Sequence, residues 1–222
     1  MSEPQSTPSV FRHAMTTAGV MVAFTIVGTL LLSSTFMTTR EPIAESEREA
    51  KLKLLEQVLP PALHDNALLA DAVEVPAGGE LGNRVSTLAY RGRLAGQASA
   101  VILEATAPDG YSGDIKLLIG IKADGELAGV RVLAHKETPG LGDYIDLAHD
   151  DWIKRNFDGQ SLARTADAQW KVKKDGGSFD YMAGATITPR AVVKAVHKAL
   201  KYFALHREAL FSAPALKEAG HE

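Results

Sequence analysis

An uninterrupted apolar stretch near the N-terminus is the strongest hydrophobic pattern in the chain. No charged residue occurs between His13 and Arg40. At about 1.5 Å per residue, a helix over residues 14–39 exceeds the roughly 30 Å hydrocarbon core of a bilayer. The stretch therefore predicts a single transmembrane helix, preceded by a short tail over residues 1–13. A signal peptide is the alternative, because it shares the short N-region and the apolar stretch, although "SSTFMTTR" is a poor cleavage site.

An amphipathic pattern follows directly after the apolar stretch. In "AESEREAKLKLLEQVLPP", Leu52, Leu55 and Leu59 recur at helical spacing among charged residues, and two prolines end the pattern. We assign residues 40–64 to a linker helix. Basic and acidic residues alternate on this side of the apolar stretch, so the positive-inside rule leaves the orientation undecided.

Alternating apolar and polar positions predict three strands in the centre of the chain, at Ala98–Thr106, Asp114–Ile121 and Leu127–His135. The sequences "PDGYSG" and "KADGE" are turns between them, and the last two strands form an antiparallel hairpin. Residues 65–93 give a weak signal, with "PAGGELGN" as a loop. One face of the hairpin is expected to pack into a core, through Ile115, Leu117, Ile119, Ile121, Val130, Val132 and Ala134.

Helical and turn signals dominate the C-terminal half. "ETPGLGDYI" is a glycine-rich break, Ala148–Phe157 a short helix, and "AQWKVKKDGGSFD" a strand that runs into a turn. A long helix is expected from Thr188 or Pro189. Its apolar stripe is Val192, Val196, Ala199, Leu200 and Phe203, and Arg190, Lys194, Lys198 and Lys201 are expected to face water.

The predicted fold class is α+β. One N-terminal transmembrane helix precedes an antiparallel-sheet domain with flanking helices over residues 65–211, and residues 212–222 form a flexible tail. A net charge of −3 without a long basic run excludes the electrostatic footprint of a nucleic-acid binder. The chain has no cysteine, so thiolate-bound iron–sulfur and zinc sites are excluded, and any redox chemistry requires another cofactor.

The stretch "DYMAGATITPRAVVKAV" combines a capped helix start with very small residues. Thr188 and Pro189 suit the N-cap and first helical positions. Ala183, Gly184 and Ala185 leave little bulk before Thr186, so an anion could approach the positive helix end, with Arg190 adding to the field. A tight turn with no ligand is the simpler interpretation, and phosphate binding is the alternative.

"DYMAGATIT" resembles the Asp-x-x-(Ser/Thr)-Gly-Ala-Thr signature of the periplasmic FMN-binding domain. This domain occurs in the G subunit of the Rnf/Rsx electron transport complex and in the C subunit of the sodium-pumping NADH:quinone reductase. "HKETPGLGD", residues 135–143, is similar to the second signature of the family. The resemblance implies that Thr186 carries one covalent FMN per chain through a phosphoester, installed from FAD by a flavin transferase with Mg²⁺. Ala183 departs from the signature, where Ser or Thr is usual.

The resemblance also implies a set of flavin-site residues and assigns no catalytic residue or metal ligand. His135 is interpreted as a strand-end residue that shapes the second loop, and Asp180 as holding the first loop through its side chain. Trp152, Phe157 and Trp170 are interpreted as core residues rather than flavin stackers. The implied cofactor-binding set is Thr186 with Gly184, Ala185, Ile187 and Thr188, and, from the second loop, Glu137, Thr138, Gly140, Leu141 and Gly142.

The function implied by the resemblance is electron relay within an Rnf/Rsx-type ion-translocating oxidoreductase complex, beside other membrane subunits. The chain would be a redox carrier rather than a catalyst on its own. The family places the domain on the periplasmic side of the bacterial inner membrane. The C subunit of the sodium-pumping reductase is the nearest alternative. A membrane-tethered module that binds a phosphorylated ligand noncovalently, or that serves assembly, is the alternative from another class.

Overall fold

The computed structural model describes residues 10–216, and the chain divides into two compact units, residues 1–51 and 52–222. The helices are α1 (Val10–Val58), α2 (Trp152–Phe157) and α3 (Ile187–Ser212), and the strands are β1 (Ala72–Val75), β2 (Thr87–Leu94), β3 (Gln97–Ala107), β4 (Ile115–Lys122) and β5 (Leu127–Ala134). Residues 1–9 and 217–222 of the predicted tails lie outside the described residues. Short 3-10 turns occur at Pro61–Leu63, Leu68–Ala70, Gly79–Leu81, Asp143–Ile145, Asp167–Gln169 and Lys173–Asp175.

The apolar stretch lies within α1, which is longer than either predicted helix. Among residues 10–216, Arg12–Val58 is the one helix long and apolar enough to cross a membrane, with a mean hydropathy of 2.0 in its apolar window. The helix continues through Pro42, which supplies no N–H for the carbonyl four residues earlier. The predicted transmembrane and linker helices are therefore parts of one helix, which ends at Val58 before the two prolines.

Five antiparallel strands form one sheet in the order β1-β2-β3-β4-β5, so each strand pairs with its neighbour in sequence. The pairs Leu103↔Ile119 and Ile119↔Val130 place apolar residues beside one another across three strands. The three predicted strands are confirmed, and each of their six ends agrees to within one residue. β1 and β2 lie in the stretch with a weak signal. At the outer edge of β1, the Leu216 N–H donates to the Ala72 carbonyl at 2.8 Å.

Both faces of the sheet are covered, whereas the pattern in β4 and β5 predicted a single packed face. On the first face, the alternating Ile and Leu residues of β4 are buried together with the predicted apolar stripe of α3. On the second face, Leu55, Val58 and Leu59 pack against Leu118 and its neighbours. Full burial of each such side chain contributes about 1.5–3 kcal/mol. The first face fixes the position of α3, whose N-terminus borders the candidate site.

Gly120 explains how the C-terminal end of α1 comes so close to the sheet. A Cβ atom at Gly120 would lie 2.4 Å from the Val58 carbonyl oxygen, and one at Gly129 would lie 3.1 Å from it. These two glycines are paired on adjacent strands. Their missing side chains form a shallow groove for the end of the helix.

The predicted strand in "AQWKVKKDGGSFD" is wrong. Trp170 and Val172 are buried while Lys171 and Lys173 are exposed, which produces a strand-like alternation. The segment instead contains two 3-10 turns, and its only strand-like pairing among the described residues is the isolated bridge Val172↔Phe179. The alternation arises from a compact loop.

The short helix α2 begins at Trp152 rather than at Ala148. The Asp146 carboxylate accepts the Ala148 N–H at 3.0 Å, and the Asp150 carboxylate accepts the Trp152 N–H at 2.7 Å. Aspartate side chains that bond to nearby backbone N–H groups favour turns over helix. The residues before Trp152 therefore form turns that lead into α2.

Candidate functional site

A cavity of about 280 Å³ lies at the N-terminus of α3. It is bordered by the segment before α3, the first turn of that helix, the loop after β5 and the loop between β3 and β4. Nine of the ten sequence-predicted site residues line it. Gly140 does not, and Tyr111 lines it without having been predicted. The lining consists of Tyr111, Glu137, Thr138, Leu141, Gly142, Gly184, Ala185, Thr186, Ile187 and Thr188.

The loop after β5 is built on a proline–glycine turn. The Thr138 carbonyl accepts the Leu141 N–H at 3.1 Å, with Pro139 and Gly140 between them. Gly140 has φ +75°, and proline cannot adopt positive φ, so this is a type II turn that requires glycine at its third position. Gly140 thus serves the turn, while its neighbours Thr138 and Leu141 line the cavity.

The segment before α3 repeats this geometry without proline. The Met182 carbonyl accepts the Ala185 N–H at 3.1 Å, and Gly184 has φ +91°. Gly184 therefore occupies the third position of a second type II turn, with Ala183 before it. Two tight turns with small central residues border the cavity.

Thr186 is the N-cap residue of α3, and its hydroxyl does not cap the helix. Within residues 10–216 the Thr186 hydroxyl makes no hydrogen bond. Across the same residues, the N–H groups of Ile187 and Thr188 also have no acceptor, and Pro189 has no N–H. The positive end of the helix therefore presents unpaired donors beside a free hydroxyl.

The prediction of Thr188 as the N-cap is wrong, because α3 begins at Ile187. Thr188 is the second helical residue, and its hydroxyl donates to the Glu137 carboxylate. Pro189 is the third helical residue rather than the first, and it is tolerated there because no first-turn N–H needs an acceptor within the helix. Thr188 and Glu137 are both buried, at 1% and 4% exposure.

Glu137 joins three segments around the cavity. Its carboxylate accepts the Ser112 N–H at 3.0 Å and the Thr188 hydroxyl, and its own N–H donates to His135 Nδ1 at 3.1 Å. A Cβ atom at Gly142 would lie 2.9 Å from Thr188 Oγ1, so only glycine fits there. His135 shapes this loop as predicted, and the described residues contain no group of side chains able to hold a metal.

The backbone of Asp180 is fixed from α2. The Trp152 Nε1–H donates to the Asp180 carbonyl at 3.0 Å, and Asn156 Oδ1 accepts the Asp180 N–H at 2.7 Å. The Asp180 carboxylate instead pairs with Lys173 at 2.5 Å. The prediction that its side chain holds the loop is therefore wrong, and its main chain serves this purpose.

Aromatic packing continues this support beneath the segment before α3. The Tyr144 hydroxyl accepts the Met182 N–H at 3.3 Å, and its ring meets Trp152 edge-on at 5.5 Å between centroids. Burial raises the pKa of Tyr144 to about 12, so its phenol stays neutral at ordinary pH. Trp152, Phe157 and Trp170 are core residues, as predicted, and none of them lines the cavity.

Arg190 does not supplement the field at the helix N-terminus. Its guanidinium forms two bonds to the Asp175 carboxylate, at 2.5 and 2.6 Å. These bonds raise the pKa of Arg190 and neutralise its charge locally. The electrostatic attraction for an anion therefore comes from the backbone at the start of α3.

Comparisons with known proteins find family matches for two parts of the chain. Residues 110–201 match the FMN-binding domain, and residues 3–58 match the RnfG N-terminal region. The G subunit of the ion-translocating oxidoreductase complex of Pseudomonas aeruginosa (strain UCBPP-PA14) is 54% identical over 214 residues, covering 96% of this chain and 97% of that protein. The same protein of Vibrio cholerae serotype O1 (strain M66-2) is 45% identical, covering 88% and 92%. That of Shewanella baltica (strain OS223) is 43% identical, covering 95% and 100%.

Proposed function

The chain belongs to the family of G subunits of ion-translocating oxidoreductase complexes and contains an FMN-binding domain, and on this premise we propose that Thr186 carries one FMN through a phosphoester. The protein would be a membrane-anchored electron-transfer subunit of an Rnf/Rsx-type complex, working beside the other subunits. The match of residues 3–58 to the RnfG N-terminal region favours this assignment over the C subunit of the sodium-pumping reductase.

The free hydroxyl of Thr186 is the observation that carries the proposal. An acceptor for a phosphoryl group must be accessible and must not be committed to an internal hydrogen bond. Thr186 borders the cavity and has no such bond within residues 10–216, whereas Thr188 is buried and bonded to Glu137. Of the two threonines at the start of α3, only Thr186 suits attachment.

The surroundings of Thr186 fit a phosphodiester. Its single negative charge would lie beside the unpaired N–H groups of Ile187 and Thr188, at the positive end of a 26-residue helix. Ala185 and Gly184 add almost no bulk on the approach. The cavity, at about 280 Å³, is at the small end of ligand pockets, which fits a nucleotide that lies partly outside it.

Bound FMN would supply one- and two-electron exchange, while this chain holds and orients it. Glu137 and Gly142 fix the loop after β5 against α3, and the two type II turns keep bulky side chains away from the main chain. Electron relay by the attached flavin needs no acid, base or nucleophile of this chain. The protein is therefore proposed as a carrier rather than a catalyst.

We further propose that the domain lies on the periplasmic side of the inner membrane, held by α1. A flavin transferase with Mg²⁺ would transfer the FMN part of FAD to the Thr186 oxygen, which loses its proton as AMP leaves. The chain has no cysteine, so single-cysteine variants report topology without background. Glu208→Cys is expected to react with a membrane-impermeant maleimide in intact spheroplasts. Arg12→Cys is expected to react only after lysis, and the reverse pattern would contradict the proposed orientation.

A denaturing gel tests the attachment. The full chain, co-produced with a flavin transferase, is expected to give a flavin-fluorescent band, which Thr186→Val abolishes. Thr186→Ser keeps the hydroxyl and serves as the matched variant that should still be labelled. Peptide mass mapping should locate the added FMN at residue 186. Flavin that copurifies but leaves on denaturation would instead indicate the noncovalent module.

A further inference from the structure

Tyr111 is the one residue of the cavity lining that belongs to neither signature motif. Its side chain is 67% exposed, the largest value among the five tyrosines of the chain. Tyr90 and Tyr144 are buried at 1% and 5%, and Tyr181 is 38% exposed. Aromatic rings stabilise a fold mainly by burial, so an exposed ring at a cavity contributes little to folding.

The loop that carries Tyr111 is firmly tied. The Ser112 N–H donates to Glu137 Oε1 at 3.0 Å. A Cβ atom at Gly110 would lie 2.2 Å from the Gly113 carbonyl oxygen and 3.0 Å from Glu137 Oε1, so the loop closes tightly around the Glu137 carboxylate. The same carboxylate binds Thr188, and this links the Tyr111 loop to the start of α3. The backbone that carries the exposed ring is therefore held at the cavity that Thr186 also lines.

Two further apolar side chains line the same cavity with large exposure. Leu141 is 47% exposed and Ile187 is 46% exposed. Binding pockets are lined mostly by apolar and aromatic groups around a few polar ones, and exposed apolar clusters mark binding surfaces. Tyr111, Leu141 and Ile187 thus form an apolar rim around the polar site at Thr186. Such a rim suits a ligand with one anionic end and one planar, apolar end.

We propose that Tyr111 contacts the isoalloxazine ring of the flavin attached at Thr186, with Leu141 and Ile187 completing the rim. This inference rests on the proposed function. The phosphate would take the unpaired N–H groups of α3, and the ring would cover the apolar rim. Tyr111 is then a binding residue for the ring and plays no part in the attachment chemistry.

Flavin emission tests the contact, because a phenol in contact with a photo-excited flavin quenches its fluorescence. The full chain is co-produced with a flavin transferase, and emission is expressed per covalently bound FMN, so that partial loading does not alter the comparison. Tyr111→Leu is expected to raise the emission severalfold. Tyr111→Phe keeps the ring but removes the oxidisable phenol, so it should also brighten the flavin while preserving its fluorescence anisotropy.

Tyr181→Leu is the matched control, because Tyr181 is also exposed but does not line the cavity. Its emission per flavin should equal that of the unsubstituted chain. Loaded Tyr111→Leu with unchanged emission and anisotropy would overturn the role of Tyr111 and leave the attachment at Thr186 standing. An unsubstituted chain that carries no flavin after co-production would overturn both proposals together.

Discussion

The two ends of α3 differ in whether their terminal backbone groups have hydrogen-bond partners. At the C-terminal end, Arg91 donates to the carbonyls of Leu210, Phe211 and Ala213, at 3.2, 3.3 and 2.6 Å. At the N-terminal end, the hydroxyl of Thr186 and the first backbone N–H groups have no partner within residues 10–216. A helix needs partners at both ends for stability alone. The C-terminal end therefore serves the fold, and under the proposed attachment at Thr186 the N-terminal end is left for the ligand.

The hydrogen bonds at the C-terminal end require the burial of a charged side chain. Arg91 is 2% exposed, and its charge is balanced by Asp71, which also binds Arg93 at 2.6 Å. Removal of one partner from a buried ion pair leaves an uncompensated charge. Substitution at this end of α3 is therefore expected to destabilise the domain.

The largest expected effect is that of Arg91→Leu. The variant removes the buried partner of Asp71, which keeps only Arg93, and it removes the Arg91 donor from three carbonyls, so the free energy of unfolding should fall by about 3–5 kcal/mol. Both tryptophans of the chain lie in the unit of residues 52–222, so their emission during denaturation in detergent reports this unit. Arg93→Leu, at a partly exposed partner of the same aspartate, should cost less. Equal losses would contradict the special role of Arg91.

Thr188→Val tests the buried part of the N-terminal end. The substitution keeps the shape but removes the hydroxyl from the Glu137 carboxylate, and a lost hydrogen bond to a buried charged group costs about 1–3 kcal/mol. The same denaturation measurement should show this loss. Unchanged stability would mean that the carboxylate finds another donor.

A pH-dependent contribution is expected from His197, midway along α3. Burial and Lys201 lower its pKa and outweigh Asp167, whose carboxylate lies 2.8 Å away. Because the folded pKa lies below the unfolded one, the contribution is complete above the unfolded pKa and is lost as pH falls through the folded pKa. Unfolding at pH 8 and at pH 5.5 should show a smaller acid loss in His197→Gln than in the unsubstituted chain. An equal loss of stability between pH 8 and pH 5.5 in both proteins would exclude a contribution from His197.

The smallest effect on stability is expected for Thr186→Val, which should change the free energy of unfolding by less than about 0.5 kcal/mol. No hydrogen bond of the described residues is lost, so a variant that carries no covalent flavin would still fold. Unfolding of unloaded protein provides the comparison. A large loss would show that Thr186 supports the fold and would weaken the contrast between the two ends.

The sequence predicted the central hairpin and the long helix well, because β4, β5 and α3 keep a regular apolar period. β2 was not predicted, since Arg91, Gly92 and Arg93 interrupt its alternation. Arg91 is nonetheless buried, because Asp71 and the carbonyls of α3 satisfy its charge. Such long-range compensation leaves no local signal in the sequence.

The candidate site was predicted mainly from its two motifs. The errors concern the hydrogen-bond partner of one side chain and the omission of another residue. Thr188 has a hydroxyl in front of a proline, which resembles an N-cap, but Glu137, 51 residues away, takes that hydroxyl instead. Tyr111 was passed over within a turn sequence. An aromatic residue between two glycines of a turn is the signal that could have identified it.

The hydrogen bond from Leu216 to Ala72 has a consequence for handling the protein. It pairs Leu216 with Ala72, the first residue of β1, at an edge whose backbone would otherwise be open to a second molecule. Expression tags should therefore follow residue 222. Truncation at Ser212 would strip that protection and invite self-association of the purified protein.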